Sequence, residues 1–198
     1  MNIDVDKLTG DRVELQAMKP EHVAGLYEAG KYPEIWTWSP PPSGGRMDEL
    51  ADMARVTKDA IGKRRLGVDW PFVIIDRATG DVIGSTRYLD IDRANKGVEI
   101  GSTWLTPAVW RTHVNTECKY LLLRHAFETA GAIRVQLKTD LRNLRSQAAI
   151  ERIGGVKEGV LRRHRILPDG YVRDSVYYSI IDQDWPNVKL RLEAMLAG

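Results

Sequence analysis

The stretch that decides the fold runs from Gly97 to Thr139 and reads GVEIGSTWLTPAVWRTHVNTECKYLLLRHAFETAGAIRVQLKT. Its first part, Gly97 to Leu105, has the composition of a strand, and Thr106-Pro107 ends it. Beyond Trp110, the residues Val114, Cys118, Leu121, Leu122, His125, Ala126 and Thr129 recur at spacings of three and four, the stripe of one helix face, until Gly131 stops it. Ile133 to Thr139 then alternates as a second strand. A strand, a long helix and a strand in succession call for a parallel crossover within one sheet.

Outward from this unit, the N-terminal side supplies strands and the C-terminal side a hairpin. Arg12 to Met18 alternates as a strand, Pro20 opens a helix to about Ala29, and a second helix spans Met47 to about Lys63. Trp70–Ile75 and Val82–Asp90 flank the turn Ala78-Thr79-Gly80-Asp81. After the crossover, Asn143 to Ile153 is a short helix closed by Gly154-Gly155. Gly159–Leu167 and Tyr171–Ile181 embrace the turn Pro168-Asp169-Gly170, and Pro186 opens a terminal helix. The order β-α-α-β-β-β-α-β-α-β-β-α predicts an α/β (α+β) fold. We expect a mixed, mostly antiparallel twisted sheet of about seven strands with helices on both faces. Sheets of this kind bind ligands where connections diverge at the strand ends, here Thr103 to Asn115 and Asp140 to Ser146.

The 198 residues favour a single domain covering 1–198. Hydrophobic residues at 43% and charged residues at 28% exclude a disordered chain or a disulfide scaffold. No apolar run is long enough to span a bilayer, and the N-terminus lacks a secretory apolar region. The lone Cys118 on the helix stripe fits a packed thiol in a reducing cytoplasm. A net charge of +2 argues against a nucleic-acid channel, and the run Arg162-Arg163-His164-Arg165 is only a small patch. Gly25 to Tyr32 has the spacing of a P-loop through Gly30-Lys31, but Tyr32 stands where a Mg²⁺-holding hydroxyl is required. No HExxH, paired CxxC or G-x-S-x-G occurs, so neither a metal nor a nucleophile elbow is expected.

Two short segments carry chemistry. Arg111, Thr112, His113, Val114, Asn115 and Thr116 open the main helix, where unpaired amides and a partial positive charge suit a phosphate. The same Thr and Asn residues also serve as ordinary caps. Asn143, three residues before Ser146, reads equally as an N-cap. Trp36 and Trp38 precede the loop Ser39-Pro40-Pro41-Pro42-Ser43-Gly44-Gly45 and either wall an amine site or anchor that loop in the core.

Several motifs stand in a set order: Glu99-Ile100-Gly101 with Trp104-Leu105; Trp110, then Asn115-Thr116-Glu117 and Leu121-Leu122-Leu123; Arg134-Val135; and Asn143-Leu144-Arg145-Ser146. They continue through Ile153-Gly154-Gly155, Glu158-Gly159-Val160-Leu161-Arg162, and Asp169-Gly170 before Arg173-Asp174-Ser175. In this order the sequence resembles the GCN5-related N-acetyltransferase (GNAT) superfamily, and within it the RimJ/RimL-like group, over nearly the whole chain. The resemblance implies acetyl-CoA as donor and a primary amine, either a protein N-terminus or a small molecule, as acceptor. It implies direct attack with both substrates bound and no metal. It implies that the strand Gly97–Leu105 splays from the next, Ile133–Thr139, and that the opened backbone pairs with the pantetheine arm like an added strand. By carry-over, Trp104 and Leu105 contact the pantetheine arm through their backbone, and Arg111 to Thr116 form the pyrophosphate loop. An amide near Leu105 would hold the developing oxyanion.

The loop departs from the family form, because Arg111 and His113 occupy positions where glycines are usual. Glycine lets the backbone approach phosphate without a Cβ in the way. The resemblance further implies that Asn143 touches the CoA arm and that Ser146 assists the departing thiolate, since the helix from Gln147 to Arg152 lacks the tyrosine many members use. Glu99 matches a strand glutamate that serves as base, often through water, although a plain ion pair on the sheet would equally explain it. His164 is the less favoured base. A non-catalytic acyl-CoA-binding module is the alternative from another class. A homodimer through the terminal helix or a sheet edge is compatible with the pattern.

Overall fold

The computed structural model describes residues 1–38 and 47–198; the proline-rich loop 39–45 lies outside the described residues. The elements are β1 (Lys7–Thr9), β2 (Val13–Ala17), α1 (Val23–Gly30), α2 (Leu50–Arg65), β3 (Trp70–Asp76), β4 (Val82–Asp92) and β5 (Gly97–Leu105). They continue as α3 (Val114–Arg124), β6 (Arg134–Asp140), α4 (Leu144–Arg152), β7 (Val156–Ile166), β8 (Val172–Ile181) and α5 (Trp185–Ala197). The strands form one sheet in the order β1-β2-β3-β4-β5-β6-β8-β7. Every neighbouring pair is antiparallel except β5 with β6, the pair joined through α3.

Among the described residues the sheet has eight strands, where the sequence pattern indicates about seven. The addition is β1, three residues at the edge with burial exposed, half-buried, exposed. So short a strand carries no alternation to read, and it is held by pairing with β2. The edge is also pinned from below. The Glu117 carboxylate, in the first turn of α3, accepts the backbone N–H groups of Asp11, Arg12 and Val13. Other boundaries shift by a turn or less, and α4 begins at Leu144 because Asn143 is its cap: its Oδ1 accepts the Ser146 N–H at 3.0 Å.

Strand alternation sorts the core into two layers. Phe72, Ile74, Tyr88, Val98, Ile100, Val135, Leu137, Val176, Tyr178 and Ile180 face α3 and α5 and meet Leu121, Leu122 and Leu192. Val73 faces the other way and packs with Met18, Leu26, Trp36, Met53 and Ala60 under α1 and α2. The main helix continues past Arg124 as a π-turn over His125–Thr129, and the Tyr88 hydroxyl donates to the Leu122 carbonyl at that junction, 2.6 Å away. The first layer runs under the sheet from β2 to β8 and includes no residue of β7. In the second, α1 and α2 pack on β3, β4 and β5. Over β6, β8 and β7 that same face carries Gln136, Lys138, Tyr177, Ser175 and His164, a polar surface.

Candidate active site

The defining geometry is the parting of β5 from β6. Gly97, Val98 and Glu99 pair with Arg134, Val135 and Gln136, and there the register ends. Both strands continue, to Leu105 and to Asp140. The segment Ile100–Leu105 therefore keeps its β4 partner and leaves its other edge open to an extended ligand, which can add to it as a strand does. A bulge enforces the parting. The register with β4 shifts between Ser85 and Arg87, and Ser102 takes a left-handed φ of 47°. Beyond it β5 presses on β4 so closely that a Cβ on Gly84 would stand 2.3 Å from the Trp104 carbonyl oxygen, which only glycine permits.

The open edge leads to the N-terminus of α3. A short helical turn over Pro107–Val109 reverses the chain, and the Trp110 indole N–H donates to the Leu105 carbonyl at 2.8 Å, tying the loop to the strand end. Arg111 then adopts a φ of 62° and is exposed. Here the glycine of the family form is replaced by an arginine that keeps the glycine-like backbone, at a cost of about 1 kcal/mol. Thr112 does the capping: its hydroxyl donates to the Val109 carbonyl at 2.7 Å and accepts the Val114 N–H at 3.3 Å. Among the described residues the backbone N–H groups of Arg111, Thr112, His113, Asn115 and Thr116 have no acceptor. Orphan amides at a helix start, beside an exposed guanidinium, fit a diphosphate. The His113 side chain is exposed, and Val114 is fully buried in the core. The Thr116 side chain turns inward and accepts from Arg152 Nη2 at 3.1 Å, so it contributes to the loop through its amide.

Across the gap, Asn143 and Ser146 open α4 on the opposite lip. The Ser146 hydroxyl is half-buried with no partner among the described residues. Arg145, which sequence reading passed over, bridges the lips, its guanidinium 4.6 Å from the centre of the Trp110 ring. The second missed residue is Lys119. Its ammonium, buried within α3, donates to the Thr103 hydroxyl at 2.7 Å, one residue past the bulge, and has no carboxylate partner among the described residues. Burial pushes its pKa down to about 8. The signal was a lysine inside an apolar stripe (Cys118-Lys119-Tyr120-Leu121), but sequence alone does not tell a buried lysine from a solvated one.

Glu99 lies on the face opposite the main core and is only 2% exposed. Its Oε2 accepts Gln136 Nε2 at 2.9 Å and Lys138 Nζ at 2.7 Å. Its Oε1 points towards Gly101, where a Cβ would stand 2.9 Å away, and carries no hydrogen bond among the described residues. One oxygen is thus fixed and the other stays available on the bulge side. His164 lies three strands over, on β7, with Nδ1 3.0 Å from the Ser175 hydroxyl and Nε2 3.3 Å from the Tyr177 hydroxyl. Burial and the nearby Arg165, Lys138 and Arg173 hold its pKa below the ordinary histidine value. The two tryptophans part company. Trp36 is buried against Trp104, ring centres 5.4 Å apart, with its indole N–H on the Gly30 carbonyl at 2.7 Å. Trp38 is half-buried near Arg142, whose guanidinium is 5.3 Å from its ring and 3.4 Å from that of Tyr171.

The Cys118 thiol is buried and its pKa is raised to about 12, which leaves it unreactive. Among the described residues no group of three or more His, Cys, Asp or Glu could hold a metal ion, and no helix is long and apolar enough to cross a membrane.

Residues 12–156 match the family model described as an acetyltransferase (GNAT) domain. Over 110 residues the chain is 30% identical to YdaF of Bacillus subtilis, a proposed ribosomal N-acetyltransferase; the match covers 56% of this chain and 59% of that relative's length. The structure superposes on a GCN5-related N-acetyltransferase from Brucella melitensis with a TM-score of 0.86 at 27% identity, covering 96% of this chain and 85% of that one. Mycobacterium smegmatis RimJ, solved with CoA-disulfide, shares the fold at a TM-score of 0.83 and 21% identity, covering 96% of this chain and 94% of that one.

Proposed function

The chain belongs to the GNAT acetyltransferase family, and from that premise we propose that it is an N-acetyltransferase moving the acetyl group of acetyl-CoA to a primary amine. The observation that carries this reading is the parting of β5 and β6 above the orphan amides of the α3 N-terminus. A slot with a free strand edge and an anion-binding end suits a thin amide-bearing arm with a diphosphate. The thioester of acetyl-CoA supplies the activated acyl group.

The chain's own residues divide the work. The open edge of Ile100–Leu105, including the Trp104 and Leu105 backbone, aligns the arm. The amides from Arg111 to Thr116, with the Arg111 guanidinium, hold the diphosphate, and Asn143 borders the arm from the other lip. An amide near Leu105 faces the charge that develops on the acyl oxygen. Lys119, held at Thr103, keeps a positive charge at the bulge end of the slot. A protonated amine has no lone pair to attack with, so a proton must leave first. Glu99, fixed by Lys138 and Gln136 through Oε2, takes that proton at Oε1 directly or through one water. The Ser146 hydroxyl, with no partner among the described residues, steadies the departing sulfur. Trp38 borders the amine side, and Trp36 supports it from the core. A reducing cytoplasm is the setting that suits the buried free thiol. The exposed Leu161 and Ile166 on β7, or Leu190 on α5, would seat a second copy.

Free thiol measured with acetyl-CoA and a panel of amines and N-terminal peptides tests the reading. Release that depends on both substrates and is lost in Glu99→Gln supports it. CoA binding without release for any acceptor would favour a binding module instead.

A further inference from the structure

The polar face over β6, β8 and β7 holds an excess of positive charge that the transfer chemistry above does not use. Arg165 and Arg173 are direct cross-strand partners in the β7–β8 register, so their side chains leave the sheet on the same face. Like charges placed opposite one another destabilise a sheet unless something anionic lies between them. Arg173 is half-buried and anchored: its Nε donates to the Ser175 hydroxyl at 2.9 Å, the same oxygen that meets His164 Nδ1.

The acids around this pair are engaged elsewhere. Asp140 is bound by Arg142, Glu99 by Lys138, and Asp174 by the backbone N–H of Arg163. Neither guanidinium joins an ion pair among the described residues, and residues 39–46 contain no Asp or Glu to supply one. Burial lowers the Arg173 pKa, and the nearby Asp140 charge partly offsets this. A chain of contacts joins Arg173 to Glu99 across this face: Lys138 Nζ, 2.7 Å from Glu99 Oε2, lies 5.9 Å from the Tyr177 ring centre, and His164 meets both the Tyr177 and the Ser175 hydroxyls. Arg142, stacked on Tyr171 and facing Trp38, closes the near flank.

We propose that Arg173 and Arg165 form an anion subsite of the acceptor groove, so that the acceptor is a primary amine carrying a carboxylate or phosphate. The amine end lies at Glu99, and the anionic end lies on the two guanidinium groups. The Arg173 fork, held through Nε, presents its two terminal nitrogens in the geometry that receives two oxygens at once. This subsite rests on the acetyl-transfer reading and narrows its acceptor.

Pairs of equal shape and different charge test it. The probes are ω-aminocarboxylates against their amides, peptides with Asp against Asn at the second position, and aminoalkyl phosphates as a third arm, all read by thiol release from the full chain. The expected result is a kcat/KM at least about tenfold higher for the anionic member of a pair, carried mainly by KM. The arm with the largest ratio identifies a small molecule, a peptide or a phosphate ester as the source of the charge. Arg173→Gln should collapse the ratio towards one and Arg173→Lys should keep part of it, while CoA titration confirms that both variants are folded. Neutral amines accepted as well as their anionic counterparts, or a preference that survives Arg173→Gln, would overturn the subsite and leave acetyl transfer standing. Absence of thiol release with every acceptor would overturn both.

Discussion

β3 and β7 belong to one sheet and live in opposite surroundings. β3 is buried at every position but one, whereas β7 is exposed at nine of its eleven residues. Helices pack on both faces of the sheet at β3, whereas β7 packs chiefly against its neighbour β8. The covered half is an ordinary two-sided core and sets the stability. The half-covered half spends its second face on polar groups (Glu99, Lys138, Tyr177, His164, Arg173) that a folded core would exclude. Between the two lies β5, paired on both sides as far as Glu99 and open on one side beyond it. The slot sits where the sheet changes character.

The sharpest way to break this contrast is to truncate one side chain in each half. Phe72→Ala, at a fully buried position, should cost about 3–5 kcal/mol, read by denaturant unfolding, whereas Arg162→Ala on β7 should stay within about 0.5 kcal/mol. Equal losses would show that β7 is as much a part of the core as β3. Next in size, Glu99→Gln should lower kcat about 100-fold while calorimetry still registers CoA. Loss of CoA binding in step with activity would reduce Glu99 to a structural partner of Lys138.

Lys119 sharpens the boundary between the halves. Its pKa lies at about 8 when folded against an ordinary 10.5, so below pH 8 folding must bury a charge that the unfolded chain carries freely. Stability should therefore rise with pH between about 8 and 10.5, because the unfolded state binds more protons there, and Lys119→Met should abolish that rise. Parallel pH profiles for the two proteins would count against a buried ammonium.

A smaller effect is expected at Arg111. Arg111→Gly relieves about 1 kcal/mol of left-handed backbone cost but removes the guanidinium, and the net result should be severalfold weaker CoA binding that salt diminishes. Tighter binding would assign the diphosphate to the amides alone. Smallest of all, Glu158→Gln breaks the surface pair with Arg134 and should cost less than about 1 kcal/mol, because both partners are largely solvated. That hydrogen-bonded pairing holds the Glu158 pKa down to about 2, so its contribution is complete above the ordinary 4.5 and fades as pH falls towards 2. No difference between wild type and variant across that window would remove the pair from the stability of the β7 edge.

The elements with long periodic patterns were legible in sequence, because burial on a helix stripe or strand face imposes a spacing. α3, the strands around it and the Pro168–Gly170 turn all stand where the residues indicate. The three-residue β1 was not legible, because pairing with β2 and the Glu117 carboxylate hold it rather than any pattern of its own. Within the site, Asn143 was readable as a cap, and the loop from Arg111 to Thr116 as a helix start. Lys119 and Arg145 were not readable, since their roles depend on which neighbour the fold brings near. Trp36 and Trp38 looked alike in sequence; only packing against Trp104 assigns one to the core and leaves the other near Arg142.

By itself, the sequence determined the order of strands and helices, the crossover and the helix start that can receive a diphosphate, because each depends on local spacing and backbone chemistry. The family resemblance implied that β5 splays from β6; tertiary structure alone decided that the parting begins after Glu99, that Glu99 meets Lys138, and that two arginines stand opposite one another. Those facts depend on register and on a bulge between distant segments, which no single stretch of residues encodes.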